Sequence, residues 1–183
     1  LSNFEMAIDG KLSPGNHTTV TLNLEPGTYA MECYMKTVDG ELHSMEGMLR
    51  ELIVTDTPSE AAAPEADIAI TLSNFEMAID GKLSPGNHTV SVHVAENPEE
   101  GYGHNVHVAR LAEDTAAQEV VEWMNWFDVE GMQSPSPAIF IGGMQLLPEG
   151  GTGYFNLDLE PGRYLFYSEY TGYLGVAQEV TVE

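Results

Sequence analysis

The chain has 183 residues, 43% of them hydrophobic, with 6 Lys and Arg against 29 Asp and Glu and a formal charge of −23. That apolar share supports a packed core and excludes global disorder, while the charge excludes nucleic acid and anionic lipid as partners, because both need basic side chains. A single cysteine excludes an intramolecular disulfide framework, and no apolar run approaches the roughly eighteen residues of a helical membrane span.

The chain opens on "LSNFEMAIDGKLSPGNHT" (1–18), and the same stretch recurs letter for letter as 72–89. Its strand-like opening, without a charged-then-apolar leader, is what a mature, processed chain or a trimmed sequence would show. "NHT" at Asn16 and at Asn87 matches the N-glycosylation acceptor pattern. "TVTLNL" (19–24) alternates apolar and polar residues with the period of a half-buried strand. Residues 25–55 follow with the single cysteine and with methionines at 31, 35, 45 and 48, which serve either as flexible core filler or as soft metal donors. "DTPSEAAAPEAD" (56–67) has the composition of an exposed linker and separates 1–55 from 68–183.

Beyond the linker, "HTVSVHV" (88–94), "HNVHVARL" (104–111), "YFNLDL" (154–159) and "QEVTVE" (178–183) alternate in the same way, punctuated by Gly and Pro turns. His93 and His107 fall on what the alternation predicts to be a solvated strand face, and His17 and His88 in surface turns. One segment differs. In "TAAQEVVEWMNWF" (115–127), Thr115 and Gln118 have capping-box spacing, and Val120, Trp123, Met124 and Phe127 share a helical face. Many strands with one helix predict an all-β, Greek-key sandwich carrying a helical insertion.

A second, diverged repeat overlaps the first. "LSPGNHTTVTLNLEPGTY" (12–29) aligns without gaps on "LPEGGTGYFNLDLEPGRY" (147–164). Residues 1–55 therefore read as a partial sandwich repeat, keeping the first and last strands of the 68–183 domain and lacking everything equivalent to 90–153. The perfect identity of the eighteen-residue stretch implies either recent recombination or a sequence assembled from two copies.

The end of the partial repeat, "EPGTYAMECYMKTVDGELHSMEGMLRELIVT", resembles the C-terminal end of the cupredoxins, the plastocyanin and azurin family. There a "PGxYxxxC" strand enters a loop with Cys, His and Met before a closing strand. The resemblance implies copper as the candidate cofactor and Cys33, His43 and Met48 as its candidate ligands, in the spacing C-x9-H-x4-M. The gap after the cysteine exceeds the family's usual two to four residues. A blue-copper site takes one thiolate, two imidazoles and a weak thioether, and the remaining imidazole sits in a "GHN" context. That triplet is Gly103, His104 and Asn105, in the other repeat. The 68–183 domain carries Ser168 at the thiolate position, with Thr171 and Val176 near the His and Met positions. The resemblance thus divides the ligand set between the halves.

No Ser-His-Asp order, HExxH, phosphate loop or paired CxxC is present, so no enzyme is expected. The leading expectation is a secreted, extracellular, periplasmic or cell-surface protein that works by assembly. It would self-associate through open sheet edges and form fibres by strand complementation, with no cofactor required. The alternative is a copper-binding cupredoxin in electron transfer or copper handling.

Overall fold

A computed structural model of the chain describes residues 12–57, 59, 61–99, 103–125, 128–169 and 176–183. Among these, eleven strands and one helix follow in the order β1 (Val20–Leu22), β2 (Gly27–Glu32), β3 (Leu49–Val54), β4 (Ile68–Ser73), β5 (Glu76–Gly81), β6 (Gly86–Glu96), β7 (His104–Leu111), α1 (Ala117–Trp123), β8 (Ile139–Leu147), β9 (Thr152–Leu159), β10 (Gly162–Tyr167) and β11 (Ala177–Val182). The expected all-β sandwich is present. One sheet has the order β1-β9-β6-β4-β5 and the other β11-β10-β7-β8, with β2 and β3 forming a separate two-stranded sheet. β4 runs parallel to β6, and the other strand pairings are antiparallel.

Alternation builds the core. In β6 Val90, Val92 and Val94 are buried, and in β9 Phe155, Leu157 and Leu159, so each strand turns one face to the space between the sheets. There they meet Ile68, Ile70 and Leu72 of β4, Val106 and Val108 of β7, and Tyr164 and Phe166 of β10. Burying each such side chain stabilises the fold by about 1.5–3 kcal/mol. A second cluster covers the outer face of the other sheet, where Val120 and Met124 of the helical segment join Met132, Ala109, Leu111, Phe140, Leu165 and Tyr167.

The helix is shorter than the sequence pattern predicts, and the capping box does not form. Its N-cap is Ala116, with no side-chain cap. Thr115 Oγ1 instead donates to the Pro137 carbonyl at 3.4 Å, and Gln118 bonds Glu122 one turn on. The helix is held by its buried Val120 face rather than by its end. Phe127 lies outside the described residues.

Among the described residues β1 pairs with the edge of β9, with Val20 opposite Phe155 and Leu22 opposite Gly153. Strand complementation thus occurs within the chain. Leu12 forms a bridge with Ile141 on the β8 edge, supported by Ser13 N–H to the Phe140 carbonyl and Phe140 N–H to Ser13 Oγ, both 2.9 Å. Residues 61–66 have no regular structure.

The identical stretches adopt different structures. In the second copy Met77, His88 and the flanking strands are built into the sandwich. In the first copy the described residues 12–18 form an extended segment and turn, with His17 exposed. His88 corrects its expectation of a surface turn. It lies in β6, 8% exposed, with Nδ1 2.5 Å from Asp67 Oδ2 and Nε2 2.7 Å from the Ser84 carbonyl. Tertiary context, not local sequence, decides between the two conformations.

Candidate metal centre

The ligand loop begins where β2 ends and finishes where β3 begins, and the pairing of Glu32 with Leu49 clamps its two ends. Cys33 N–H donates to the Met48 carbonyl at 3.1 Å, Met48 N–H to His43 at 3.0 Å, and Ser44 N–H to Cys33 at 3.1 Å. The nine residues between Cys33 and His43 fold back on themselves. Lys36 bridges Leu42, Thr37 N–H donates to Glu41 and Gly40 N–H to Thr37, and Gly40 takes the positive φ of 86° that this tight turn requires. The long insert is therefore a closed miniature hairpin. His43 N–H then reaches the Met35 carbonyl at 2.8 Å.

The outcome is contact between two of the three candidate ligands. Cys33 Sγ lies 3.6 Å from His43 Nδ1. Two such donors on one tetrahedral ion, at about 2.3 Å for sulfur and about 2.0–2.1 Å for nitrogen, sit roughly 3.5 Å apart. The separation also suits a thiol–imidazole hydrogen bond. Met48 is tied to both residues through its backbone, while the residue is 55% exposed. Met45, between them, is 75% exposed. Met35 is different, for it packs on the second apolar cluster and serves the core. Lys36 Nζ fastens the hairpin to the other half through the Asp128 carbonyl at 2.8 Å.

The corresponding place in the 68–183 half is built on the same plan with other residues. Tyr164 Oη donates to the Glu160 carbonyl at 2.9 Å, as Tyr29 Oη does to Glu25 at 2.6 Å. Ser168 N–H donates to the Val176 carbonyl at 3.0 Å, as Cys33 N–H does to Met48. These matched bonds set Cys33 against Ser168 and Met48 against Val176, in agreement with the repeat alignment. Ser168 is fully buried. Its Oγ accepts from Asn105 N–H at 3.4 Å and donates to Asn105 Oδ1 at 3.3 Å, and that oxygen also accepts Glu169 N–H at 2.7 Å. A hydroxyl committed to Asn105 is a poor metal ligand, and Val176 offers no donor. Thr171 lies outside the described residues.

His104, adjacent to Asn105 at the head of β7, is 1% exposed, and neither ring nitrogen has a hydrogen-bond partner among the described residues. Burial pushes its pKa down. The backbone of Asn74 and Glu96 pulls it up, though neither reaches hydrogen-bonding geometry. His107 corrects the expectation of a solvated face. The outer face of β7 is covered by the second cluster, so His107 is buried beside Asn105 Nδ2 at 3.1 Å and Glu169 Oε2 at 3.2 Å. Tyr167, 5.5 Å from it centroid to centroid, has its hydroxyl pKa raised well above the usual value by burial and then by the Glu169 charge. Pure alternation could not reveal this. His93 stays partly exposed, bonded to Thr152.

The two glycosylation candidates fall in unlike places. Asn16 donates from Nδ2 to the Phe140 carbonyl at 3.4 Å, and Asn87 is exposed in β6 opposite Asp158. No described helix is long and apolar enough to cross a membrane. No cluster of three or more His, Cys, Asp and Glu occurs among the described residues.

No family profile and no curated protein matches the chain. Solved structures of similar fold include a reduced auracyanin from Roseiflexus castenholzii (22% identity, TM-score 0.44, 63% of this chain and 94% of that one). They also include an azurin from Methylomonas sp. strain J (15%, 0.45, 63% and 95%). A third is auracyanin A, a "blue" copper protein from Chloroflexus aurantiacus (18%, 0.43, 63% and 97%). Likeness of this degree assigns no ligand and no activity to this chain. The architecture itself is a two-sheet β-sandwich with one short helix among the described residues.

Proposed function

We propose that this is a non-enzymatic copper-handling protein of the extracytoplasmic space that holds Cu(I) on the Cys33–His43 pair. One observation carries the reading: the nine-residue insert folds so that Cys33 Sγ and His43 Nδ1 stay 3.6 Å apart. Thiolate and imidazole with thioethers nearby make a soft donor set suited to Cu(I), and exposed Met45 and Met48 flank the histidine. A second imidazole, which a blue Cu(II) site needs, is absent from the loop; its sequence counterpart, His104, heads a buried strand of the other half. Copper handling is therefore favoured over electron transfer.

The test is competition with a Cu(I) chelator. The chain is expected to take one Cu(I), and Cys33→Ser and His43→Ala to weaken binding by more than the roughly 10–100-fold typical of outer-shell changes. Equal affinity in Cys33→Ser would refute the reading. A blue absorption band on adding Cu(II) would favour electron transfer instead. Assembly by strand complementation remains a second reading, favoured by the addition of β1 to the β9 edge.

A further inference from the structure

One contact between the two halves joins strands that are each other's repeat equivalents, β1 and β9. In the alignment of 12–29 on 147–164, Val20 corresponds to Phe155, Leu22 to Leu157 and Leu12 to Leu147. In the structure Val20 pairs with Phe155 itself and Leu22 with Gly153. Leu12 pairs with Ile141 of β8, the strand that ends at its own equivalent, Leu147. Both contacts are antiparallel, so both have the form of a two-fold, self-complementary interface in which one side is a shortened copy of the other.

Substituting the equivalents gives a symmetric pairing. Phe155 would face Phe155 of the second copy, Tyr154 would face Asn156, and Leu157 would take the place of Leu22 over Gly153. That last site is shaped for a leucine: a Cβ on Gly153 would come within 2.8 Å of Leu22 Cδ2 and of Met144 Cε. Neither β8 nor β9 carries Lys, Arg or Pro, the residues that commonly guard an exposed edge.

We propose that the β8–β9 edge is a self-association surface for a second copy of this chain, and that β1 closes it. β1 belongs to the same chain as β9, so its pairing is intramolecular and is favoured over that of a separate molecule. A second copy at micromolar concentration cannot compete. The intact chain stays monomeric, and releasing β1 produces a closed dimer through β9 against β9.

The test uses the full chain. Asn156 N–H donates to the Thr19 carbonyl at 3.1 Å, so alternation makes Thr21 and Tyr154 the next hydrogen-bonded pair. Thr21→Pro with Leu22→Asp removes that bond and puts a charge over Gly153. Sedimentation at physiological salt should show a monomer for the parent chain and a dimer for this variant. Adding Tyr154→Pro, which blocks only the outward side of β9, should restore the monomer. A variant that stays monomeric with its strand circular dichroism intact would overturn the proposal. So would a dimer indifferent to Tyr154→Pro, open-ended polymers, or a parent chain that dimerises equally. If the double variant loses its strand signal, Thr21→Pro alone is judged by the same outcomes.

Discussion

Asp67→Asn probes the contact that fixes the start of β4 to β6. Asp67 Oδ2 lies 2.5 Å from His88 Nδ1, Asp67 Oδ1 accepts Thr89 N–H at 2.8 Å, and His88 Nε2 lies 2.7 Å from the Ser84 carbonyl. Both partners of the ring are acceptors, so the ring satisfies both only as imidazolium. Burial is the largest influence on His88 and lowers its pKa, but the Ser84 carbonyl and Asp67 together outweigh it and the net shift is upward. Asp67 is shifted down, chiefly by the His88 hydrogen bond. The raised histidine adds stability that is complete below its unfolded value of about 6.5 and is lost as pH rises through the folded value. The lowered carboxylate adds stability present above about 3.9 and lost as pH falls through its folded value. The contact is therefore strongest between about pH 4 and 6.5. A hydrogen bond to a charged group is worth about 1.5–3 kcal/mol, but the Asp67 side chain is 56% exposed and screening reduces the figure to about 1 kcal/mol. The asparagine keeps the Thr89 bond. Urea unfolding should show Asp67→Asn losing about 1 kcal/mol near pH 5.5 and less than about half of that near pH 8.5. A loss equal or larger at the higher pH would refute the imidazolium account.

Three further outcomes follow from the geometry. Asn105→Ala should cost about 2–4 kcal/mol, since it strips partners from buried Ser168, His107 and the Glu169 N–H together, whereas Ser168→Ala should cost about 1 kcal/mol; chemical denaturation reads the difference, and equal costs would show that Asn105 is not the hub. Gly153→Val should destabilise by about 1–3 kcal/mol by thermal melting, because the new side chain meets Leu22 and Met144; an unchanged melting temperature would mean that β1 is not seated there. A peptide of residues 1–55 should show no cooperative melting, since β1 pairs only with β9 among the described strands and a lone two-stranded sheet is marginal in water; a sharp transition from the monomeric peptide would contradict this.

The strands were legible because one face of each is buried, which imprints period two on Val90, Val92 and Val94 and on Phe155, Leu157 and Leu159. Tyr29 and Tyr164, which the repeat alignment superposes, each donate to the carbonyl four residues before them. Histidine environments were not legible. His88 and His17 share the same local sequence, and what distinguishes them lies outside it: the Asp67 carboxylate and the pairing of His88 with Leu157 of β9. His107 sits on an alternating strand whose outer face is covered by the helical segment that follows it, so the period misled. At the candidate metal site, the residue types pointed to Cys33 and His43, but their juxtaposition depends on the folding of residues 34–42 into a hairpin, which spacing alone does not encode.

X-ray absorption at the copper edge of the Cu(I)-loaded chain tests the central claim most directly. A first shell containing sulfur together with one imidazole nitrogen, with the sulfur contribution falling in Cys33→Ser and the imidazole signature vanishing in His43→Ala, is the predicted result. A shell of oxygen and nitrogen alone, or one unchanged by either substitution, would contradict it.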